Sequence, residues 1–461
     1  MKKDRSADLE LLFNPNSIAL IGASNDPGKW GHRILDSIVG GGYRGNVYPV
    51  NPRTNTVLGM AAYPGIGSVP GTVDVALVCT PARDTLEVVR ECAAAGARFA
   101  IVIPAGYGEV GESGLEAERF LVEAAGNCRL MGPNTMGIMS TPSSLYAYMS
   151  LARPRPGGVA LVSQSGNIGT QILGRGEKDG IGFSYFASSG NEADLSMEHY
   201  LSYFAGDERT SVVLAYIEGF KDARGFLDSA RKVTRRKPLV AYKAGRTSAG
   251  ARAARSHCGA MATSDDISDG GFSQVGIVRA RTTEEILDLA KAFSSLPLPR
   301  GPRVGIISWG GGWGVVGADM CQETGFEVAP LDDGTLEALD RLLPSYWSGG
   351  NPIDLVGSLD LDCHLQCMEM LMASDSIDSV VALGTISGFP DFQEHDERFL
   401  ERSIELTGQY GKPVMLVKMF EGYHSEFIHS RGSLVFSSPE RAISALWRMY
   451  EYYLFRQALP P

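Results

Sequence analysis

The sequence lacks several features that would assign it to large classes of protein. It has no apolar run long enough to span a bilayer, and Met1–Asp4 leads into no apolar signal segment, so we expect no membrane partner. It has no long basic run, and its net charge of -11 argues against a nucleic-acid partner. Its seven cysteines are odd in number and scattered, which indicates free thiols in the cytoplasm. Cys363 and Cys367 have no second ligand pair nearby, so we predict no metal site.

What is abundant is the alternation of short β-branched runs with helical patterns. This alternation is typical of parallel sheets covered by helices on both faces, and the 55 glycines fit many tight strand-to-helix turns. Two segments rich in Pro, Gly and Arg, Leu151–Gly158 and Leu296–Arg303, read as linkers. The fold class is therefore α/β, with three doubly wound domains over residues 1–150, 151–298 and 299–461. The predicted strands are 17–22, 46–50, 74–79, 98–103, 128–131, 158–163, 181–187, 211–217, 238–243, 275–279, 303–308, 325–328, 378–384, 412–417 and 433–436.

The first glycine turn follows a predicted strand and precedes a helix over 33–38. It reads Gly22-Ala23-Ser24-Asn25-Asp26-Pro27-Gly28-Lys29-Trp30-Gly31, and such glycines let backbone N–H groups approach a phosphate. Further contacts are expected from the next strand ends, Val50-Asn51-Pro52-Arg53 and Cys79-Thr80-Pro81, because ligands of these folds sit at carboxyl strand ends. A tight turn without ligand is the alternative.

Two later turns repeat this strand-to-helix pattern. Ser163-Gln164-Ser165-Gly166 offers hydroxyls and free N–H groups to a dianion, although serine also serves as an ordinary N-cap. Gly310-Gly311-Gly312 contains more glycine than a cap requires, which favours close approach of a ligand to the backbone. Gly350–Leu355 either shapes the ligand pocket expected at Gly310–Gly312 or is a structural turn.

His257 lies in the segment Ser256-His257-Cys258-Gly259-Ala260, after a basic loop of small residues. This setting favours an imidazole presented to an anion. An exposed loop histidine and a metal ligand are the alternatives, and no carboxylate or second histidine lies at ligand spacing. His32 is a further candidate near a bound phosphate, whereas His199, His364, His395, His424 and His429 are interpreted as surface or helix positions.

Taken together, the motifs resemble those of the α subunits of ADP-forming acyl-CoA synthetases, in the superfamily that includes succinyl-CoA synthetase. The resemblance covers nearly the whole chain. It rests on Gly22-Ala23-Ser24, Val50-Asn51-Pro52, Ser163-Gln164-Ser165-Gly166, Gly190-Asn191-Glu192-Ala193-Asp194, Glu218-Gly219, Lys243-Ala244-Gly245-Arg246, Ser256-His257-x-Gly259-Ala260, Gly310-Gly311-Gly312 and Asn351-Pro352-x-Asp354.

The resemblance implies a Rossmann-like CoA-binding domain followed by two flavodoxin-like domains. It implies that His257 carries a phosphoryl group, that Glu218 supports the imidazole, and that the turns at Ser163–Gly166 and Gly310–Gly312 hold the phosphoryl group. It also implies that CoA is bound by the first glycine turn, including Lys29 and Gly31, by the strand ends Val50–Arg53 and Cys79–Pro81, and by Asn134. Two positions depart from the family pattern: Cys258 replaces a hydroxyl residue, and Trp313, in place of a small residue, could narrow the acyl pocket.

The implied reaction joins a small carboxylic acid to CoA, reversibly, with ATP converted to ADP. The three domains leave no room for an ATP-grasp domain and no Walker motif is present. The resemblance therefore implies a hetero-oligomer whose ATP-grasp β subunit binds ATP, ADP and Mg. The alternatives are a CoA-binding regulatory protein without catalysis and a nicotinamide-dependent dehydrogenase. The latter lacks an acidic residue after its second strand, where Asn51-Pro52-Arg53 stands.

Overall fold

The computed structural model describes residues 9–250, 252, 265–356, 360–387, 389–420 and 434–459. The chain divides into two compact units. One comprises Met1–Glu177 with Gly182–Arg281, and the other comprises Lys178–Ile181 with Thr282–Pro461. No helix in the described part of the chain combines the length and the apolarity that a membrane crossing requires.

The first sheet is wholly parallel and lies in the first unit. Its order β2-β1-β5-β6-β7 places β1 at the point where the chain changes direction across the sheet, which is where such folds bind ligands. A small hairpin, β3 and β4, follows β2. The strands are β1 Ser17–Ile21, β2 Asn46–Val50, β3 Thr56–Val57, β4 Met60–Ala61, β5 Val75–Val78, β6 Phe99–Val102 and β7 Arg129–Met131; the helices are α1 Glu10–Phe13, α2 Trp30–Gly40, α3 Ala82–Ala94 and α4 Glu112–Ala125.

The second sheet, in the same unit, has the order β14-β13-β12-β10-β11-β8-β9. Strands β8 and β9 form an antiparallel hairpin added to an otherwise parallel sheet. One continuous apolar core joins both sheets; for example, Phe13 of α1 packs against Tyr185 of β11 with ring centroids 4.9 Å apart. The strands are β8 Gly137–Ser140, β9 Leu145–Tyr148, β10 Pro156–Ser163, β11 Phe183–Ser188, β12 Val212–Ile217, β13 Leu239–Lys243 and β14 Val278–Ala280; the helices are α5 Gly166–Lys178, α6 Met197–Gly206, α7 Ala223–Thr234 and α8 Asp265–Val275.

The third sheet belongs to the second unit and is also parallel. Its order is β16-β15-β18-β19-β20, and β17 pairs with β15 beyond the end of β16. The strands are β15 Arg303–Ser308, β16 Glu327–Val328, β17 Ile353–Asp354, β18 Ser379–Ile386, β19 Val414–Lys418 and β20 Val435–Phe436; the helices are α9 Thr283–Ser295, α10 Gly311–Thr324, α11 Asp333–Leu342, α12 Leu361–Ala373, α13 Gln393–Tyr410 and α14 Pro439–Gln457.

Each predicted strand overlaps an observed one, whereas β3, β4, β8, β9 and β17 were not predicted. The segment predicted as strand 275–279 is split, because α8 continues to Val275 and β14 starts at Val278. Part of Gly350–Leu355 is the short strand β17 rather than a turn. The cause is Asn351, whose side chain accepts from the N–H of Ile306 at 2.9 Å and donates to the carbonyl of Val304 at 2.8 Å, as a strand peptide would.

Candidate active site

The first glycine turn is packed so tightly that glycine is required at two positions. A Cβ on Gly22, whose φ is +91°, would lie 2.9 Å from the carbonyl oxygen of Cys79, and one on Gly31 would lie 2.0 Å from the carbonyl oxygen of Gly22. Asn51 donates from Nδ2 to the carbonyl of Ala23 at 2.8 Å. The structure therefore brings together the turn and the ends of β2 and β5, as the sequence predicts, and α2 begins at their meeting point.

A pocket of about 420 Å³ opens where strand ends of the two sheets meet. Residues after β5, β6, β7 and β10 form its walls, together with Trp30 at the start of α2. The lining residues are Trp30, Cys79, Thr80, Ile103, Pro104, Ala105, Asn134, Thr135, Met136, Met149, Gln164, Ser165, Gly166 and Asn167.

Some predicted site residues line this pocket and others do not. Those that do are Cys79, Thr80, Asn134, Gln164, Ser165 and Gly166. The predicted residues Gly22, Ala23, Ser24, Lys29, Gly31, Val50, Asn51, Pro52, Arg53, Pro81, Ser163 and Glu218 lie outside its lining. The residues at 103–105 follow β6, so the rule that located the other strand ends applies to them as well. Met136 and Met149 flank the β8–β9 hairpin, for which the sequence carries no clear signal.

The second turn presents the N-terminus of α5 to this pocket. Ser163 is buried, and its hydroxyl donates a hydrogen bond to the carbonyl of Ser165 at 2.6 Å. This bond shapes the turn, and the hydroxyl is therefore not a free donor. A Cβ on Gly166 would lie 2.1 Å from Cγ of Met136, so glycine is required there. The first N–H groups of a helix have no intrahelical partner, and the helix dipole favours an anion beside them. This wall of the pocket is suited to a phosphoryl group.

The side chain of Gln164 is engaged within the protein. Its Oε1 accepts from the N–H groups of Glu218 at 2.6 Å and Gly219 at 3.1 Å, and its Nε2 donates to the carbonyl of Gly219 at 3.0 Å. Gln164 is predicted to be one of the phosphate-binding residues of this turn, and that assignment stays a prediction. Its carboxamide holds the backbone at the end of β12 beside the turn, and so it positions Glu218.

Glu218 is half-buried directly after β12. Its carbonyl accepts from Nζ of the buried Lys243 at 2.8 Å, which fixes the backbone from the other side. His257 and Cys258 lie outside the described residues, as do His424 and His429. The pairing of Glu218 with His257 therefore stays a prediction.

Glu192 is a buried carboxyl that the sequence analysis quoted only as part of a motif. It is 4% exposed, has a φ of +56°, and accepts from the hydroxyl of Ser189 at 2.7 Å. Burial raises the pKa of Glu192 to about 7, against the opposing effects of hydrogen bonds from Ser189 and Gln164. Near neutral pH this carboxyl is therefore close to the midpoint of its titration. It lies next to Gln164, the residue that holds Glu218.

The same loop ties the second sheet to the part of the pocket that the first sheet forms. Asn191 donates to Glu118 at 2.7 Å and accepts from Asn134 at 3.2 Å. Asp194 forms a bidentate salt bridge with Arg129, with N···O distances of 2.8 and 2.9 Å. The segment 189–194 therefore braces Asn134 and Gln164, which line the pocket from different sheets.

Among the described residues that line the pocket, Cys79 is the only one with a thiol. Burial raises the pKa of Cys79 to about 12, so the thiol stays protonated near neutral pH. A protonated thiol is a weak nucleophile and does not compete with an incoming thiolate.

The third turn, in the second unit, differs from the other two because packing does not require glycine at Gly310 or Gly312. Gly310 caps α10 in an extended conformation, and a Cβ on Gly310 or Gly312 would meet no atom within 4 Å. A Cβ on Gly311 would lie 2.9 Å from the Asp354 carboxylate. Gly310 and Gly312, which neither packing nor backbone angle demands, favour a ligand that approaches the backbone.

A pair of histidines supports the residue before this turn. His364 is fully buried, and its Nδ1 lies 3.3 Å from Nε2 of His395. Trp309 stacks on His395 with ring centroids 5.6 Å apart and planes 15° from parallel. Both histidines are on helices as expected, but they are packed under Trp309 rather than at the surface. Among the described residues, no cluster of three His, Cys, Asp or Glu side chains could hold a metal ion.

With this geometry in hand, comparisons with known proteins identify the family. Residues 16–141 match the CoA binding domain model, and residues 156–293 match the succinyl-CoA ligase like flavodoxin domain model. The chain is 37% identical over 453 residues to the acetate–CoA ligase [ADP-forming] II subunit alpha of Pyrococcus furiosus, covering 96% of this chain and 97% of that one. The chain belongs to the α subunits of the ADP-forming acetyl-CoA synthetases. The sequence resemblance is thereby confirmed.

Two further proteins are similar to this chain over nearly its whole length. The solved structure of the dinucleotide forming acetyl-coenzyme A synthetase 1 of Ca. Korarchaeum cryptofilum, in complex with phosphate and ADP, superposes with a TM-score of 0.89. It is 34% identical, with 97% of each chain covered. The 4-hydroxybutyrate–CoA ligase [ADP-forming] of Nitrosopumilus maritimus is 32% identical, covering 96% of this chain and 64% of that protein. Membership of this family supports catalysis over the regulatory alternative, with CoA as the thiol substrate.

Proposed function

We propose that this chain forms acyl-CoA through a phosphohistidine at His257. The observation that carries the proposal is the shared pocket, in which strand ends of the CoA-binding fold meet the N-terminus of α5. The thiol of CoA bound at the first sheet and a phosphoryl group held at the N-terminus of α5 would both reach this pocket. Such convergence is what a two-step acyl transfer needs.

In the proposed reaction, an imidazole nitrogen of His257 attacks the γ-phosphorus of ATP, and ADP leaves as the P–O bond breaks. A carboxylate oxygen of the acid then takes the phosphoryl group as the P–N bond breaks, which yields an acyl phosphate. The CoA sulfur attacks the acyl carbon, the C–O bond breaks, and inorganic phosphate leaves. The covalent intermediate divides one difficult substitution into easier steps.

Each site residue has a defined role in this scheme. The Gly22 turn and the ends of β2 and β5 bind CoA. Amides at the N-terminus of α5 stabilise the phosphoryl charge, and Gly310–Gly312 at the start of α10 does so at another stage. Glu218, held by Gln164, accepts a hydrogen bond from the imidazole and leaves the other nitrogen free to attack.

We further propose that the partner implied by the α-subunit family is an ATP-grasp β subunit, which binds ATP with Mg and completes a hetero-oligomer. We place the enzyme in the cytoplasm. Six cysteines in the described part of the chain are free thiols, five of them buried, as a reducing compartment permits. The boundaries of the three domains, at 150 and 298, stay part of this proposal.

The decisive experiment is His257→Asn in the complex reconstituted with the ATP-grasp partner. Acid-labile phosphate transferred from ATP should disappear, and acyl-CoA synthesis should fall by roughly a thousandfold or more, because the covalent carrier is lost. CoA binding should persist. His199→Asn on α6 is the matched control and should retain both activities. Synthesis by the His257 variant above a few per cent of wild type would remove His257 from the mechanism.

A further inference from the structure

Three neighbouring strands of the second sheet end beside one another and carry two glutamates and a glutamine. Strand β10 lies between β11 and β12, and all three run parallel. Gln164 follows β10, Glu218 follows β12, and Glu192 lies in the loop after β11. Gln164 therefore stands between a glutamate that the proposed function uses and one that it does not.

The carboxamide of Gln164 is bonded in both directions. Its Oε1 accepts from the N–H groups of Glu218 and Gly219, and its Nε2 donates to the carbonyl of Gly219 at 3.0 Å. A hydrogen bond from Gln164 also reaches the carboxyl of Glu192. Since a carboxamide has donors only on its nitrogen, these partners together fix which end of it faces β12.

A proton on Glu192 weakens its hold on Gln164. The ionised carboxylate accepts charge-assisted hydrogen bonds, whereas the neutral acid has less acceptor capacity and an O–H that needs a partner of its own. Turning the carboxamide to accept that O–H would set its N–H groups against those of Glu218 and Gly219, and both bonds would be lost. The ionised form therefore matches the observed arrangement better than the protonated form.

The loop that carries Glu192 holds it in a strained conformation. Glu192 has a φ of +56°, which residues with a side chain seldom adopt, and it is 4% exposed. The N–H groups of its neighbours bond to the segment before β8, from Asn191 to Pro133 and from Ala193 to Gly132, both at 2.9 Å. Such strain persists only where the surroundings enforce it, and it concentrates at functional sites.

Groups of both signs face this carboxyl from the elements packed around it. Ser189 of the same loop donates to it at 2.7 Å, and Glu198 of α6 repels its charge. Lys221, after β12, attracts the charge and donates from Nζ to the carbonyl of Glu192 at 2.9 Å. The buried hydroxyl of Tyr200 on α6 lies near it and has no hydrogen-bond partner within the described part of the chain. Burial outweighs the attractive contacts and raises the pKa of Glu192 to about 7, so both forms are populated near neutral pH.

We propose that ionised Glu192 is a positioning residue for the phosphoryl transfer and acts through Gln164 on Glu218. The proposal rests on the proposed function, in which Glu218 is the partner of His257. With Glu192 ionised, the carboxamide holds the end of β12 and keeps Glu218 in place for the imidazole. With Glu192 protonated that hold weakens, so transfer slows as the pH falls through about 7.

A pH profile of the reconstituted complex tests the proposal. Wild-type kcat should rise as Glu192 ionises, whereas Glu192→Gln should keep kcat about tenfold lower at about pH 8, with the KM for CoA and for the acid within about twofold. Glu192→Asp keeps the charge and tolerates a positive φ, so it should retain part of the rise. Glu116→Gln, at an exposed position of α4, is the control and should follow the wild type. A Glu192→Gln variant with wild-type kcat at every pH would overturn the proposal.

His257 is expected to titrate in the same range, so two further comparisons separate the groups. Glu198→Gln removes a repelling charge and should move the rise about half a pH unit lower, but should leave the profile unchanged once Glu192→Gln is also present. Gln164→Ala should lower kcat, and adding Glu192→Gln should lower it no further, because both changes act through one contact. A shift that persists without the Glu192 carboxyl, or losses that multiply, would contradict the proposal.

A measurement without catalysis separates this inference from the proposed function. The His257→Asn chain, isotopically labelled at its glutamine side chains for NMR, lacks the titration of His257 and keeps Glu192 and Gln164. The side-chain amide resonance of Gln164 should move with a midpoint of about 7, and should stay fixed when Glu192→Gln is added. An amide that is insensitive to pH contradicts this inference alone, whereas acid-labile phosphorylation of His257→Asn in the complex contradicts the proposed function.

Discussion

At the scale of single residues, the buried carboxyl of Glu192 has the clearest consequence for stability. Its pKa is raised from the usual 4.5 to about 7 because burial removes water from the ionised form. The folded state therefore holds a proton that the unfolded state has released above pH 4.5. The stabilisation is fully present below 4.5 and is lost as the pH rises through about 7.

Glu192→Gln tests this reasoning because glutamine is uncharged at every pH. At pH 8 the variant should be more stable than the wild type by up to about 3 kcal/mol, and the two should converge near pH 4.5. Urea denaturation at both pH values measures the difference. Glu116→Gln on α4 is an exposed control and should show little change. A stability difference that is the same at both pH values would show that the Glu192 carboxyl does not titrate in this window.

Single residues also mark the limit of sequence reasoning at this site. The residues after β5 were predicted because strand ends carry ligands in such folds, and those after β10 because their hydroxyls and free N–H groups suit a dianion. The contact of Gln164 with Glu218 was not predicted, since it depends on β10 and β12 being neighbours in the sheet. Met136 and Met149 were missed for a similar reason, because they enter the pocket only through the pairing of β8 with β11.

At the scale of elements, the strands were predictable where β-branched runs are fully buried, as in β1, β5 and β18. The β8–β9 hairpin was not, because its strands have four residues each and add to a sheet formed mainly by later segments. The three glycine turns look alike in sequence but differ in structure. Packing requires glycine at Gly22 and Gly166 and leaves Gly312 free of contacts.

Gly312→Ala therefore separates folding from function at α10. A Cβ there meets no atom, and replacing glycine by alanine near a helix start should stabilise the fold by about 0.4–1 kcal/mol. If a ligand approaches this backbone, the same methyl should lower kcat/KM about tenfold or more. Gly408→Ala in α13 is the matched control, since its Cβ also meets no atom. It should gain stability without losing activity, and unchanged activity in Gly312→Ala would argue against a ligand at this turn.

At the scale of the whole molecule, the two compact units each present a glycine turn at the start of a long helix. The first unit also contains the CoA-binding fold and the pocket, all within described residues. In the proposed function, the acyl transfer to sulfur therefore draws mainly on the first unit. The proposed transfer from ATP is assigned to a nucleotide site on the partner subunit.

This division predicts different ligand responses for the chain alone. CoA at about 100 times its Kd should raise the free energy of unfolding by about 2.7 kcal/mol without any partner, whereas ATP with Mg should give no phosphohistidine until the β subunit is added. Thermal unfolding and acid-labile phosphate incorporation measure the two responses. The His257→Asn chain should respond to CoA as the wild type does, because the CoA-site residues are untouched. Phosphorylation of the purified chain by ATP alone would contradict the division, since the nucleotide site would then belong to this subunit.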